Sequence, residues 1–344
     1  MKNLFYLIIC FFLFCSALPG FSKVRPTNLR TEMKHNPEGI DISVPRLMWQ
    51  IESDLQDVKQ TNYQIIVAES VKDLDKQQNL LWNSGKISSG SSVFIPYEGK
   101  MLQSRRTYYW KVKVWTNKGE SAWSEMNKWT MALTDAGEWN AKWIGLDNSM
   151  NESDRLTGET RLTARYLRKA FQVPSQIKNA RIYITGLGFY ECYINGKKVG
   201  SDVFAPTATD YSKHINYNVY DVTDLLSKGD NTIGVTLGNG RFFSMRREGV
   251  RHFGFPKMLM QLEIEGKNGE KTTLISDQTW KITTNGPIIS NSEFDGEEFN
   301  ANFEMKGWAN NGYDDTKWLD ASIVDAPGGQ LISQRNPNIQ VMKE

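Results

Sequence analysis

Four groups of residues in this 344-residue chain have types and spacing that could do chemistry. Two are acidic, Glu293-Phe294-Asp295-Gly296-Glu297-Glu298 and Asp314-Asp315. Paired carboxyl groups can serve as general acid and base in cleavage of a glycosidic bond. An inverting reaction needs them roughly 6.5–9.5 Å apart so that a water fits between. The same residue types cap turns and pair with arginine, and we read both clusters in that sense, as carboxylates that hold a loop. The third group is Asp210, Tyr211, Asn239, Arg241 and Phe242, with Phe243 beside it. Aromatic faces pack against sugar C–H groups while Asp, Asn and Arg direct hydrogen bonds, so this group is the candidate carbohydrate-binding site. The competing reading, which we prefer, is that Tyr211 and Phe242 pack beneath the loops and Arg241 pairs locally. The fourth group, Phe294, Glu297, Phe299 and Trp308, is the candidate surface for docking another domain.

Other chemistries find little support. His35, His214 and His252 are spread over more than half the chain without ligand spacing, so no metal site is expected. The Asp147 to Asp154 stretch could offer oxygen ligands to calcium, but it has no EF-hand register and is read as solvated. No cofactor is expected. There is no G-x-S-x-G elbow and no P-loop; Gly238-Asn239-Gly240 closes a strand and is read as a tight turn. Forty-one Lys and Arg against 39 Asp and Glu, without a dense basic run, give no electrostatic footprint for nucleic acid.

The elements that must position these groups are β-strands. Phe189 to Ile194, the Asn195-Gly196 pair and Lys197 to Gly200 read as a hairpin on a type I′ turn. Tyr217 to Val222 is a further strand, followed by one helical turn with Thr223 near its N-cap and Gly229 as its stop. Asp230 to Leu237 alternates, with Ile233, Val235 and Leu237 on one face. Arg165 to Gln172, Asn179 to Thr185, Met258 to Glu265, Thr272 to Ser276 and Trp280 to Thr284 complete a sandwich of jelly-roll type. Earlier, Pro26 to Leu133 reads as about seven short strands, among them Asn62 to Ala68 and Thr107 to Trp115. That pattern predicts an immunoglobulin or fibronectin type III sandwich. The expected division is 23–135 and 136–325, with 326–344 an extended exit segment. Six of eleven tryptophans fall between Trp110 and Trp143, which predicts a rigidly packed junction. Asp147 to Gly158 is read as a surface loop.

The amino terminus reads as a secretory signal: Lys2, an apolar run from Leu4 to Leu18, then small residues before Lys23, with cleavage after Ser22 preferred and Ala17 the alternative. The expected location is outside the cytoplasm, secreted or periplasmic, with no membrane span after cleavage. Bulky Ile9 and Phe14 before Cys10 and Cys15 argue against a lipoprotein. Cleavage leaves Cys192 alone, read as a buried apolar residue.

Motif by motif, Gly186 to Arg241 resembles the amino-terminal β-sandwich of bacterial α-L-rhamnosidases of glycoside hydrolase family 78. The shared series is NGxxVG, a Pro-Thr then Asp-Tyr segment, YDVT and LGNG. The YYWKVKVW strand followed by SAWS is similar to the leading fibronectin-like domain of the same proteins. The 293–308 segment resembles the family's GExYDAR…GW motif, with Asn300 and Asn302 where Asp and Arg are usual, and Asp314-Asp315-Thr316-Lys317-Trp318 matches its D-D-S/T-x-W element. The resemblance implies catalytic residues in a later (α/α)₆ barrel, to which nothing before Glu344 corresponds, so no catalytic residue is carried over. The expectation is a non-catalytic amino-terminal portion, inactive alone, partnered by a rhamnose-containing glycan or by a missing catalytic domain. The alternative is a free-standing carbohydrate- or protein-binding module.

Overall fold

A computed structural model describes residues 24–146, 162–243 and 253–342. The expected signal and the Asp147 to Gly158 loop lie outside the described residues.

The first domain is built around Thr107–Thr116, whose side chains alternate strictly: Tyr108, Trp110, Val112 and Val114 are fully buried and the residues between them are half-exposed. This strand runs antiparallel to Gln60–Ala68, with Ile65 opposite Val112 and Val67 opposite Trp110. Against their apolar face lies a three-stranded sheet of Val24–Thr31, Arg46–Ser53 and Ile95–Pro96. Edge-on aromatic pairs join the layers, Trp49 with Tyr63 at 5.3 Å and Trp82 with Tyr97 at 5.4 Å. The sequence reading did not anticipate the helix Val71–Lys76. At six residues it is too short to show a period, but its cap is legible, because the Ser70 hydroxyl accepts from the Asp73 N–H at 3.1 Å.

The second domain packs two larger sheets face to face. One runs Ser322–Ile323, Ile144–Gly145, Lys257–Gly266, Ile177–Leu187, His214–Asp221 and Gln330–Ser333, with Lys271–Ile275 paired to Lys257–Gly266. The other runs Lys197–Lys198, Tyr190–Ile194, Gly229–Leu237, Arg165–Val173, Lys281–Thr283 and Leu319–Asp320. Between them Ile182, Ile184, Met260 and Leu262 from the first sheet meet Leu167, Cys192, Ile233 and Val235 from the second, closed by Trp280. The hairpin turn has the expected geometry, with φ of 51° at Asn195 and 77° at Gly196. Cys192 is 1% exposed, and burial pushes its thiol up to about 12, as suits a packing residue. The molecule is an all-β protein, an immunoglobulin-like sandwich followed by a jelly-roll sandwich. The expected helical turn is a 3-10 turn, Thr223–Leu225, in which Asp221 accepts from Thr223, while Gly229, φ 93°, opens the next strand.

At the junction, charged residues meet as well as aromatic ones. Ala132 and Leu133 of the first domain pack with Tyr183 and Tyr217 of the second, beside Trp139 just past the boundary, and the Tyr217 hydroxyl donates to Leu133 O at 3.1 Å. Arg105 pairs with Glu138 and, at 2.8 Å, with Glu263, and Arg181 reaches back to Glu38 at 3.2 Å and Thr107 at 2.8 Å. Burial pushes the Glu138 carboxyl up, but hydrogen bonds from Ser104 and the Asp135 and Thr134 amides, with Arg105, outweigh it and hold the group below its ordinary 4.5. A depressed carboxylate pKa stabilises the fold above the unfolded value and loses that contribution as pH falls through the folded one. Melting temperature is therefore expected to fall on acidification below about pH 4.5, and less steeply in Glu138→Gln. Equal slopes in the two proteins would contradict this account of the junction.

Candidate functional site

The candidate carbohydrate-binding residues lie where Gly229–Leu237 ends and the chain turns through Gly238-Asn239-Gly240. The Asn239 carbonyl accepts from the Phe242 and Phe243 amides at 3.0 and 3.2 Å, so the glycine-rich triplet is a turn and not a phosphate cradle. Asn239 is fully buried: its amide nitrogen donates to Leu162 O at 2.7 Å and Asn291 O at 3.1 Å. Its backbone N–H donates to the Asn291 side chain at 2.7 Å, which ties the turn to the strand Ile288–Ser292. Tyr211 and Phe242 are 2% and 1% exposed, and their rings meet edge-on at 5.1 Å, with Phe253 packed against both. Both rings therefore have covered faces. Asp210 caps its own turn, accepting from the Ser212 hydroxyl at 2.6 Å. Arg241 forms a two-pronged pair with Glu293 at 2.7 and 2.8 Å and lies over the Phe294 ring at 5.6 Å. The structure thus brings Tyr211, Asn239, Arg241 and Phe242 together, mostly as turn and core residues.

Burial pushes the Tyr211 phenol up to about 12, and its hydroxyl has no hydrogen-bond partner among the described residues. An unpaired buried hydroxyl costs about 1–3 kcal/mol, whereas its removal at constant shape is close to neutral or favourable. Tyr211→Phe is therefore expected to raise stability by about 1 kcal/mol in urea denaturation. A loss of similar size would mean that the hydroxyl has a partner.

The docking candidates separate. Phe294 and Phe299 are 51% and 55% exposed on the hairpin Ile288–Ser292 and Gly296–Phe299, beside exposed Glu297, and Phe303 adds another 51%. Trp308 instead packs inward, edge-on to Tyr166 at 5.3 Å and stacked on Trp318 at 6.2 Å. It sits on Gly234, where an added Cβ would lie 2.6 Å from the indole, so this strand position accepts glycine only.

The residue that organises this end of the domain was missed in the sequence. Arg168, whose side chain is 3% exposed in Arg165–Val173, pairs with Asp315 and donates to Trp308 O and Asn310 O, each at 3.0 Å. An arginine amid apolar residues on a strand reads as solvent-facing; the paired Asp314-Asp315 was the only hint of a buried cation. Asp314 caps the Thr316 turn at 3.0 Å, and those hydrogen bonds hold its carboxyl below the ordinary range. Both acidic clusters thus supply carboxylates engaged with neighbouring residues. Among the described residues no group of three or more His, Cys, Asp or Glu is placed to hold a metal ion. No described helix is long and apolar enough to cross a membrane.

An immunoglobulin-like sandwich leads into a jelly roll whose loops are tied by Arg168 and Asn239, an arrangement that by itself defines a fold class and no activity. Comparison with known proteins narrows it. Residues 26–135 match the Rha78A-like, N-terminal immunoglobulin domain, and residues 175–343 match the α-L-rhamnosidase N-terminal domain. An α-L-rhamnosidase of Formosa agariphila is 35% identical over 332 residues, covering 90% of this chain and 35% of the relative. One of Alteromonas sp. is 33% identical, covering 96% and 36%. Among solved structures, an α-L-rhamnosidase from Dictyoglumus thermophilum superposes with a TM-score of 0.81 at 36% identity, over 93% of this chain and 36% of that one. The chain belongs to the α-L-rhamnosidases of glycoside hydrolase family 78, as their amino-terminal domains. It spans about a third of the length of these relatives.

Proposed function

We propose that the chain is the non-catalytic amino-terminal portion of an exported α-L-rhamnosidase, a two-domain β platform that supports the part carrying the active site. The observation that carries this reading is the superposition of 93% of the chain on only 36% of an α-L-rhamnosidase. Three features support it. The acidic clusters are engaged in structural pairs, Asp315 with Arg168 and Glu293 with Arg241. Phe294, Phe299 and Phe303 present rings outward, as a docking surface for another domain requires. The amino-terminal apolar run fits export.

The purified chain is expected to release no product from an aryl α-L-rhamnoside beyond the buffer rate, and steady turnover by the pure chain would overturn the proposal. Carbohydrate binding at Tyr211 and Phe242 is the weaker reading, because their faces are covered. Titration with L-rhamnose decides it: saturable binding abolished by Asn239→Ala, in a protein that remains folded, would restore that site.

A further inference from the structure

We infer that residues 330–340 act as a clasp that makes the two β domains move and unfold as one body. The segment is extended, but it is built into the fold. Gln330–Ser333 adds a parallel strand beside His214–Asp221, and Ile339–Gln340 pairs with Asp202–Val203. Between the two strands the segment is pinned to the jelly roll by side chains. The Gln334 side-chain oxygen accepts from the Thr207 amide at 2.9 Å, and its nitrogen donates to Asn338 at 2.8 Å. Buried Asp202 accepts from Asn338, from Gln340 at 3.2 Å and from Tyr220 at 2.8 Å.

The same few residues reach the immunoglobulin-like domain from the other side. The Ser333 hydroxyl donates to Gly39 O, and its amide donates to Asp41 at 3.0 Å. Asp41 also accepts from Arg335 at 3.2 Å, and Lys34 Nζ donates to Gln334 O at 2.5 Å. Gly39, at φ 73°, lies against Val219 so closely that a Cβ would fall 2.3 Å from a valine methyl. Backbone from one domain thus touches the sheet of the other where the clasp closes. A polar network satisfied on both sides fixes one arrangement, because opening it leaves buried donors and acceptors without partners.

Scanning calorimetry and small-angle X-ray scattering on the full chain test this. The parent is expected to melt in a single transition. In Asp41→Ala/Ser333→Ala the transition is expected to split and the maximum dimension to grow, whereas the control Glu52→Ala, which breaks only the exposed pair with Arg25, leaves both unchanged. A single transition and an unaltered dimension in the double variant would overturn the clasp. If the double variant fails to fold, hydrogen exchange in Arg335→Ala decides, because that side chain is 61% exposed and its loss leaves both cores intact. Exchange of amides 38–41 and 331–334 is then expected to accelerate together by about two- to fivefold, as the loss of one solvent-screened ion pair gives. Acceleration of only one of the two stretches contradicts the coupling.

Discussion

Asp315→Ala is expected to destabilise the second domain by about 3–5 kcal/mol, the cost of leaving a buried charge without its partner. Arg168 is 3% exposed, and without Asp315 its guanidinium retains the carbonyls of Trp308, Asn310 and Tyr313 and the face of the Tyr313 ring at 5.5 Å, with no second carboxylate paired to it among the described residues. Those carbonyls belong to a loop that touches one sheet at several points. Trp308 rests on Gly234, Ala309 O accepts from the Gly196 amide at 3.0 Å, and Asn311 accepts from the Thr232 hydroxyl at 2.6 Å. Losing the anchor should therefore loosen the hairpin tip as well. Urea titration measures the cost, and the double variant Arg168→Met/Asp315→Leu separates charge from packing, since replacing both partners with apolar groups is often neutral or favourable. If Asp315→Ala cost less than about 1 kcal/mol, like a surface pair, the buried-anchor account would be wrong.

Trp280→Ala is expected to cost about 3–5 kcal/mol, the range for truncating a large aromatic in a core. Trp280 is fully buried between the sheets, its indole N–H donates to Ile275 O at 2.9 Å, and its carbonyl accepts from Ala321 at 2.8 Å. Truncation removes ring contacts from both layers and leaves the Ile275 carbonyl without that donor. The effect belongs to the jelly roll. If the domains melt as one body, the single transition shifts to lower temperature as a whole; an unchanged midpoint would show that the cavity refills at no cost.

The sheets were legible where period two is strong. Tyr108, Trp110, Val112 and Val114 alternate with Tyr109, Lys111 and Lys113, and Asn195-Gly196 leaves little choice of turn. Strand ends in the structure lie within about three residues of the expected positions, since fraying ends have weak sequence signals. The helix at Val71 was hidden by its length. The chain after Gly328 carries little apolar periodicity, so its two strands could not be read; they form because neighbouring strands offer open edges and Asp202 and Asp41 offer acceptors. The loop residues were legible as a group but not in their roles. Tyr211 and Arg241 have the same types whether they bind a ligand or pack a turn, and only burial and pairing distinguish the two.

The central claim is that this chain supplies a platform and not the catalyst. Its most direct test is the initial rate of aryl α-L-rhamnoside hydrolysis by the chain alone and by a chimera in which it replaces the corresponding amino-terminal third of the Formosa agariphila relative. The account predicts no turnover by the chain alone and clear turnover by the chimera. Hydrolysis by the isolated chain at a rate proportional to its concentration would contradict it.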